Sequence, residues 1–288
     1  VSQNYFQGRY GQLTLSSGGR MYHPNNGNEL GDTVELNARR FIVLDDGSTT
    51  SNPNPVPYYD LAQPLRAGDT VVSVSGVMDQ GAINATSPYL LGYRVHPSAA
   101  PVFTPVNLRP EAPQLIGHDL VVVGFNLYNF FTTLNDPANT YPNPPYNTSN
   151  EPRGANNATE FEQQVLKLVA AIHGANPDVL GVVEIEKYEG GPFPAADTYL
   201  LDRLNDGLPE DEQYEIINDP VLGFGGDYIK NTIYYKPGRL TLVGNAVSYN
   251  IPDPADPTVD LFDRYPVAQT FRSKSDNQKF TVVVNHLK

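Results

Sequence analysis

Four side chains in this sequence are of types that could hold a divalent cation and a phosphate together. Asn126 ends the apolar run Val121-Val-Val-Gly-Phe-Asn126. Glu184 sits near the end of Asp178-Val-Leu-Gly-Val-Val-Glu-Ile-Glu186. His286 ends Thr281-Val-Val-Val-Asn-His286, and Arg264 lies in Asp263-Arg-Tyr-Pro-Val-Ala-Gln-Thr-Phe271. A carboxylate at the end of a hydrophobic strand is costly to bury unless something pairs with it. Strand ends are also where α/β folds place their chemistry. Phosphodiester hydrolysis needs a cation to offset transition-state charge, a group that activates or orients water, and an acid for the leaving oxygen. Mg2+ uses one or two carboxylates and keeps several waters, so Glu184 with Asn126 makes a minimal coordination set. His286 suits acid–base work or phosphate contact, and Arg264 suits a clamp on a phosphate oxygen. Singly, each such residue is more often structural than functional; the expectation rests on the combination.

The elements that must position these groups are legible in outline. Residues 1–100 read as all-β: Arg9–Leu15, Arg40–Leu44, Asp69–Val77 and Leu91–Val95 look like short strands. Turns such as Asp45-Asp46-Gly47 separate them, with no helix-period segment, which points to a small barrel or sandwich. His23 and His96 fit surface or turn positions better than ligand positions. Prolines 97, 101, 105, 110 and 113 forbid helix and central strand, so 97–117 reads as an extended linker. The pattern then changes. A strand over Asp119–Asn126 precedes a long Asn/Pro/Thr loop at 132–158 and a helix. Thr159 and Glu162 suit a capping box for that helix, Phe161, Val165, Leu168, Val169 and Ile172 its apolar face, and Gly174 its stop. After the Glu184 strand come a short helix near Thr198–Asn205 and strands at Tyr214–Ile217, Asn231–Tyr235, Leu240–Val243, Val267–Phe271 and Phe280–His286. The expected organisation is an all-β domain over 1–112, Pro-rich linker included, and an α/β (α+β) sheet domain over 113–288.

Composition narrows the class. Among 288 residues are 26 Pro, 24 Gly and no Cys; 40% are hydrophobic, enough for a core. No apolar run approaches the roughly 20 residues that span a bilayer, so no membrane association is expected. Val1 reads as a processed or trimmed start. Richness in Asn, Tyr, Thr and Pro with little Lys leans towards a secreted, extracellular protein. The formal net charge is −13, split as −2 over residues 1–112 and −11 over 113–288. Such a field repels polyanions, so nucleic-acid binding would require divalent cations or a local basic cluster. Arg264, Arg272, Lys274, Lys279 and Lys288 flank the His286 strand, either as such a cluster or as a solvated strand face.

Five segments occur in a telling order: Gly-Phe-Asn126-Leu-Tyr-Asn-Phe, Gly-Val-Val-Glu184-Ile-Glu, Gly226-Asp-Tyr-Ile-Lys-Asn-Thr-Ile-Tyr-Tyr-Lys-Pro237, Arg264 before Pro-Val-Ala-Gln-Thr-Phe, and Val-Val-Asn-His286-Leu-Lys. Together they resemble the endonuclease/exonuclease/phosphatase superfamily, which includes the pancreatic-type deoxyribonucleases. The closer resemblance is to large secreted bacterial nucleases that carry an upstream β domain. Residues 9–22 and Ile42-Val-Leu-Asp-Asp-Gly-Ser48 match that domain, so the resemblance covers essentially the whole chain. It implies an OB-like barrel followed by the N-terminal part of a DNase I-like αββα sandwich. It implies an extracellular nuclease that needs Mg2+, with Ca2+ or Mn2+ as the other candidate ions, and that cuts DNA or RNA. Glu184 would be the main metal ligand. Asn126 would bind or orient the metal-bound phosphate, His286 would contact the phosphate or leaving oxygen, and Arg264 would contact phosphate. Asp227, Lys230 and the Arg153-Gly-Ala155 stretch would lie on the substrate side.

The family also carries an Asp-Phe/Leu-Asn motif and a terminal Asp-His pair, which should follow His286; this sequence reaches only Lys288. The resemblance therefore implies a catalytic domain whose remaining segment lies in cis or in a second, cleaved chain. Two other readings stand beside the nuclease. One is a phosphatase or phospholipase of the same superfamily, which exposed apolar loops near the site would favour. The other is a non-catalytic extracellular structural or binding protein derived from it.

Overall fold

The computed structural model describes residues 1–23, 31, 33–60, 62–83, 88–110, 114, 119–135, 151–187 and 194–287. They divide into two compact units, 1–110 and 111–288.

The first unit runs, in chain order, α1 (Gln7–Tyr10), β1 (Leu13–Ser16), α2 (Val34–Arg39), β2 (Phe41–Leu44), β3 (Thr70–Val71), β4 (Gly76–Ala82), β5 (Leu91–Pro97) and β6 (Phe103–Thr104). Four strands form one sheet in the order β1-β2-β5-β4, with β2 and β5 parallel. Its inner face packs Leu13, Leu15, Leu44 and Val95. The expected OB-like barrel is not seen. Among the described residues the sheet stays open between β1 and β4, and β3 and β6 pair only with each other. The expected strand over Asp69–Val77 breaks into the two-residue β3 and the start of β4. Two helices also correct the all-β expectation. They have four and six residues, too short to show a period, and α2 is started by Thr33 Oγ1 accepting from the Leu36 N–H at 3.1 Å. Much of the supposed linker belongs to this unit. β6 lies within it, and Asp69 Oδ1 accepts from the N–H groups of Val106 and Asn107 at 3.0 and 3.1 Å.

The second unit runs β7 (Val122–Phe130), α3 (Ala158–Ala175), β8 (Val179–Glu186), α4 (Ala196–Asn205), β9 (Glu215–Ile216), β10 (Ile229–Tyr235), β11 (Leu240–Ser248), β12 (Val267–Ser273) and β13 (Lys279–Val284). Two sheets form, β7-β8-β10-β9 and β11-β12-β13. β7 and β8 are parallel, as a strand–helix–strand unit requires. Val165, Leu168 and Ile172 of α3 and Leu200 and Leu204 of α4 cover Leu180, Val182 and Ile185 on one face of the first sheet. On its other face Val179, Ile233 and Tyr235 meet Val267, Phe271 and Val284 of the second sheet. The unit is thus a mixed α/β stack of helices, sheet and sheet. The cap of helix α3 lies two residues before the expected one, at Asn157. Asn157 Oδ1 accepts from the Glu160 N–H at 3.0 Å, and Glu160 reaches back to the Asn156 N–H at 3.0 Å. Its end passes Gly174 to Asn176, which takes the left-handed conformation at φ 46°. Of the 132–158 loop, residues 136–150 lie outside the described residues.

The two sheets approach closely at Gly181, where an added Cβ would lie 2.6 Å from Val284 Cγ2. Gly181→Val should therefore overpack this contact and lower unfolding free energy by about 1–3 kcal/mol. Chemical denaturation should show it, and a variant as stable as the parent would mean that the sheets are not packed in this register.

Candidate active site

A strict alternation along β8 would bury Glu184. Leu180 and Val182 face the helices, so residue 184 would follow them into that apolar layer. It does not, because the strand carries a bulge. Phe125 pairs with Val182, Asn126 with Val183, and then Phe130 with Ile185; on the other side Thr232 pairs with Val182 and Lys230 with Ile185. Val183 and Glu184 together oppose the single residue Asn231. Glu184 adopts φ 64°, and Tyr128 and Asn129 on the neighbouring strand adopt 58° and 53°. Three non-glycine residues in the left-handed region at one spot is costly, on the order of 1–3 kcal/mol each. What the backbone gains is a Glu184 side chain turned out of the apolar layer.

Glu184 Oε1 accepts from Asn126 Nδ2 at 2.8 Å, and Oε2 accepts from the Asn129 N–H at 3.0 Å. His286 Nε2 lies 3.5 Å from Glu184 Oε1. The three strand tips therefore converge, although His286 stands two residues past the end of β13. Beside them Asp227 is clasped by two arginines: Arg264 Nη1 donates to Oδ2 at 2.9 Å, and Arg153 Nη2 donates to Oδ1. Burial raises the Asp227 pKa, but the Arg153 and Arg264 contacts and the Tyr228 N–H outweigh it and hold the carboxyl below its ordinary value. Burial and then Arg264 push the His286 ring below its ordinary range, against the pull of Glu184 and Asp227, so the imidazole is neutral at neutral pH.

Two expectations need correction. Lys230 is 1% exposed, its ammonium 2.7 Å from Asp197 Oδ2 and over the Phe224 ring. It lies under the site and does not reach the substrate side. The basic cluster around the His286 strand also disperses. Val267 pairs with Val284 near His286, whereas Arg272 pairs with Lys279 near the other end of the hairpin. Only Arg264 of that group joins the site, and Lys288 lies outside the described residues. Asn126 meets Glu184 through a fixed amide. Its Oδ1 accepts from the Tyr128 N–H at 2.7 Å, which fixes the amide's orientation and aims Nδ2 at Glu184. It orients the carboxylate, and Oδ1 keeps a second lone pair.

The sequence pattern did not single out Tyr128, the Asn129 N–H or Lys187. Lys187 Nζ donates to Gly225 O at 2.6 Å, bracing the loop that leads to Asp227. The four residues Asn-Leu-Tyr-Asn after an apolar run were the available signal.

No group of three or more His, Cys, Asp or Glu residues able to hold a metal occurs among the described residues. Glu184 Oε2 has one protein donor and a lone pair to spare, while Oε1 takes the Asn126 amide and faces His286 Nε2. That donor set fits a largely hydrated Mg2+ held through one carboxylate. It does not fit a dehydrated Ca2+ site, which takes six to eight oxygens.

No protein-family model matches the chain, and no curated protein matches it. Solved structures that match include the catalytic domain of human Nocturnin with a bound sulfate anion, at 22% identity over 44% of this chain and 43% of that one, with a TM-score of 0.30. An endonuclease/exonuclease/phosphatase family protein from Bacteroides thetaiotaomicron matches at 16% identity over 57% of this chain and 49% of that one, with a TM-score of 0.33. The chain spans less than half the length of either structure. At these TM-scores the likeness carries no argument; the site's own geometry has to.

Asp227 supplies a pH test. Its depressed pKa means that the two-arginine clasp stabilises the fold fully above the ordinary carboxyl value of 3.8, and that this contribution is lost as pH falls through the lower folded value. Asp227→Asn should destabilise the protein at neutral pH and flatten the stability profile below pH 3.8. An unchanged acid limb in thermal melts would refute the clasp.

Proposed function

We propose that this protein is an extracellular, divalent-metal-dependent phosphodiesterase that cuts DNA within the strand, with RNA as a second substrate, and that it is a nuclease of the endonuclease/exonuclease/phosphatase type. One observation supports this above the others: the Glu184 carboxylate is shared by Asn126, the Asn129 N–H and His286, beside an Asp227 that holds two arginines. In this reading Glu184 holds Mg2+, with Mn2+ as the substitute to test. The ion would supply charge neutralisation at the phosphate. Asn126 and the Asn129 N–H keep the carboxylate aimed. Arg264 and Arg153, positioned by Asp227, bind non-bridging phosphate oxygens. His286, neutral and next to Glu184, contacts the phosphate or holds a proton at the leaving oxygen.

The test is cleavage of plasmid DNA by the protein with Mg2+ and with a chelator. Glu184→Gln and His286→Ala should each lower the rate on the order of 10²–10³-fold, with melts confirming the fold. Cleavage that persists under chelation, or in Glu184→Gln, would end the proposal.

A lipid phosphodiester is the second reading, and a specific feature favours it. The loop leading to Asp227 carries Val221, 99% exposed, next to the exposed Leu222. If that loop enters a bilayer, Val221→Asp with Leu222→Asp should abolish hydrolysis of phospholipid vesicles and leave DNA cleavage unchanged. DNA cleavage without vesicle hydrolysis by the parent protein would dismiss this reading.

A further inference from the structure

Next to the Glu184 site lies a groove of about 410 Å3 between the bulged end of β7 and helix α3, lined by Tyr128, Asn129, Arg153, Gly154, Gln163 and Lys167 among others. Its volume is that of a small-ligand pocket. Two of its residues also belong to the site: the Asn129 N–H donates to Glu184, and Arg153 donates to Asp227. The groove therefore adjoins the site where the nuclease reading places the phosphate.

Tyr128 stands in this groove with its side chain in solvent, 82% exposed. Its backbone is pinned. The N–H donates to Asn126 Oδ1 at 2.7 Å, and Gln164 Nε2 donates to the Tyr128 carbonyl at 3.0 Å and to that of Leu127 at 3.1 Å. The left-handed conformation at φ 58° is one that Gly or Asn would adopt at lower cost. The bulge needs the backbone geometry but not the ring, and the ring buries little that would stabilise the fold. An exposed aromatic alone means little. A strained one, fixed at the rim of a groove that shares two residues with a phosphate site, has a chemical use.

A polynucleotide strand presents what the groove would recognise: a flat π face for the Tyr128 ring, amide partners for Gln163, and backbone phosphates for Arg153 and Lys167. We propose that this groove seats a nucleotide flanking the scissile phosphate, with its base stacked on Tyr128. The assignment rests on the nuclease reading. It adds that the substrate strand is unpaired at that nucleotide, since a base within a duplex has no free face to offer.

The test compares two oligonucleotides of equal length, one with bases and one abasic throughout, by fluorescence anisotropy and by cleavage. The parent protein should bind the base-bearing strand more tightly. Tyr128→Ala should weaken that binding by about 10-fold, the scale of one base–aromatic stack, and leave abasic binding unchanged. Tyr128→Phe should retain parent affinity, whereas in Tyr128→Ala kcat on the base-bearing strand should stay near the parent value while KM rises. Equal affinity of the parent and Tyr128→Ala for the base-bearing strand would overturn the assignment. If cleavage occurs with that equality, the nuclease reading survives and the stacking site falls. If ring-dependent binding occurs without cleavage, the stacking site survives and the hydrolase reading falls.

Discussion

The second unit is arranged around a bulge that turns one carboxylate out of an apolar sheet. Burying an ionised carboxyl among Leu180, Val182 and Ile185 would cost several kcal/mol or force it to protonate. The chain meets that constraint with two residues, Val183 and Glu184, against one, Asn231. The neighbouring strand yields in step. Residues 127–129 take up the slack between the Asn126 and Phe130 pairings, and the Asn129 N–H freed from the ladder becomes a donor to Glu184. Strain and hydrogen bond are thus two sides of one arrangement. Asn126 locks it, with an amide held by Tyr128 on one side and presented to Glu184 on the other.

Charge balance is what the proposed phosphate site has to reconcile with an acidic unit. Among the groups that meet there, Glu184 and Asp227 are offset by Arg153 and Arg264, and His286 is neutral. The centre formed by these groups is therefore close to electroneutral within a unit of net charge −12, the −11 of residues 113–288 plus Glu111. A phosphodiester entering it would leave one uncompensated negative charge, and its natural remedy is a cation on Glu184. The arginines are held in place before any anion arrives, so little side-chain entropy remains to be lost on binding. Their contact with Asp227 also lessens the attraction that they can offer. On the proposed reading, anion affinity at this centre would depend on a cation more than on either arginine alone.

The sequence made the strand–helix–strand order, the apolar face of α3 and the convergence of Asn126, Glu184 and His286 legible, because each depends on local pattern or on residue type at a strand end. The rest depended on contacts distant in sequence. Lys230 looks like a surface cation within Asp227-Tyr-Ile-Lys230, yet it is buried because Asp197, 33 positions earlier, faces it from α4. The bulge is invisible to an alternation rule, which assumes an unbroken ladder. Helices α1 and α2 are one turn or so long and owe their formation to capping and packing, which no periodicity records. The open sheet of the first unit follows from which strand edges bond, and short alternating runs do not specify that.

Beneath the site, the buried Lys230–Asp197 pair and Glu186 show what keeps the bulge from relaxing. Glu186 accepts from the N–H groups of Thr132 and Thr133 at 2.8 and 3.1 Å and from the Thr132 hydroxyl at 3.1 Å. The chain just past β7 is thereby tied to the end of β8. Lys230 pairs with Ile185, between Glu184 and Glu186, while its ammonium is fixed by α4. A strand fastened on both sides of a bulge cannot slide by one residue to restore alternation, because sliding would break a buried ion pair and the three hydrogen bonds to Glu186. The cost of removing one partner from such a buried pair, about 3–5 kcal/mol, is comparable to the summed strain of the left-handed residues it holds. Rigidity around Glu184 therefore comes from polar groups with no access to substrate, which accounts for charged residues persisting where hydrophobic packing alone would have been simpler.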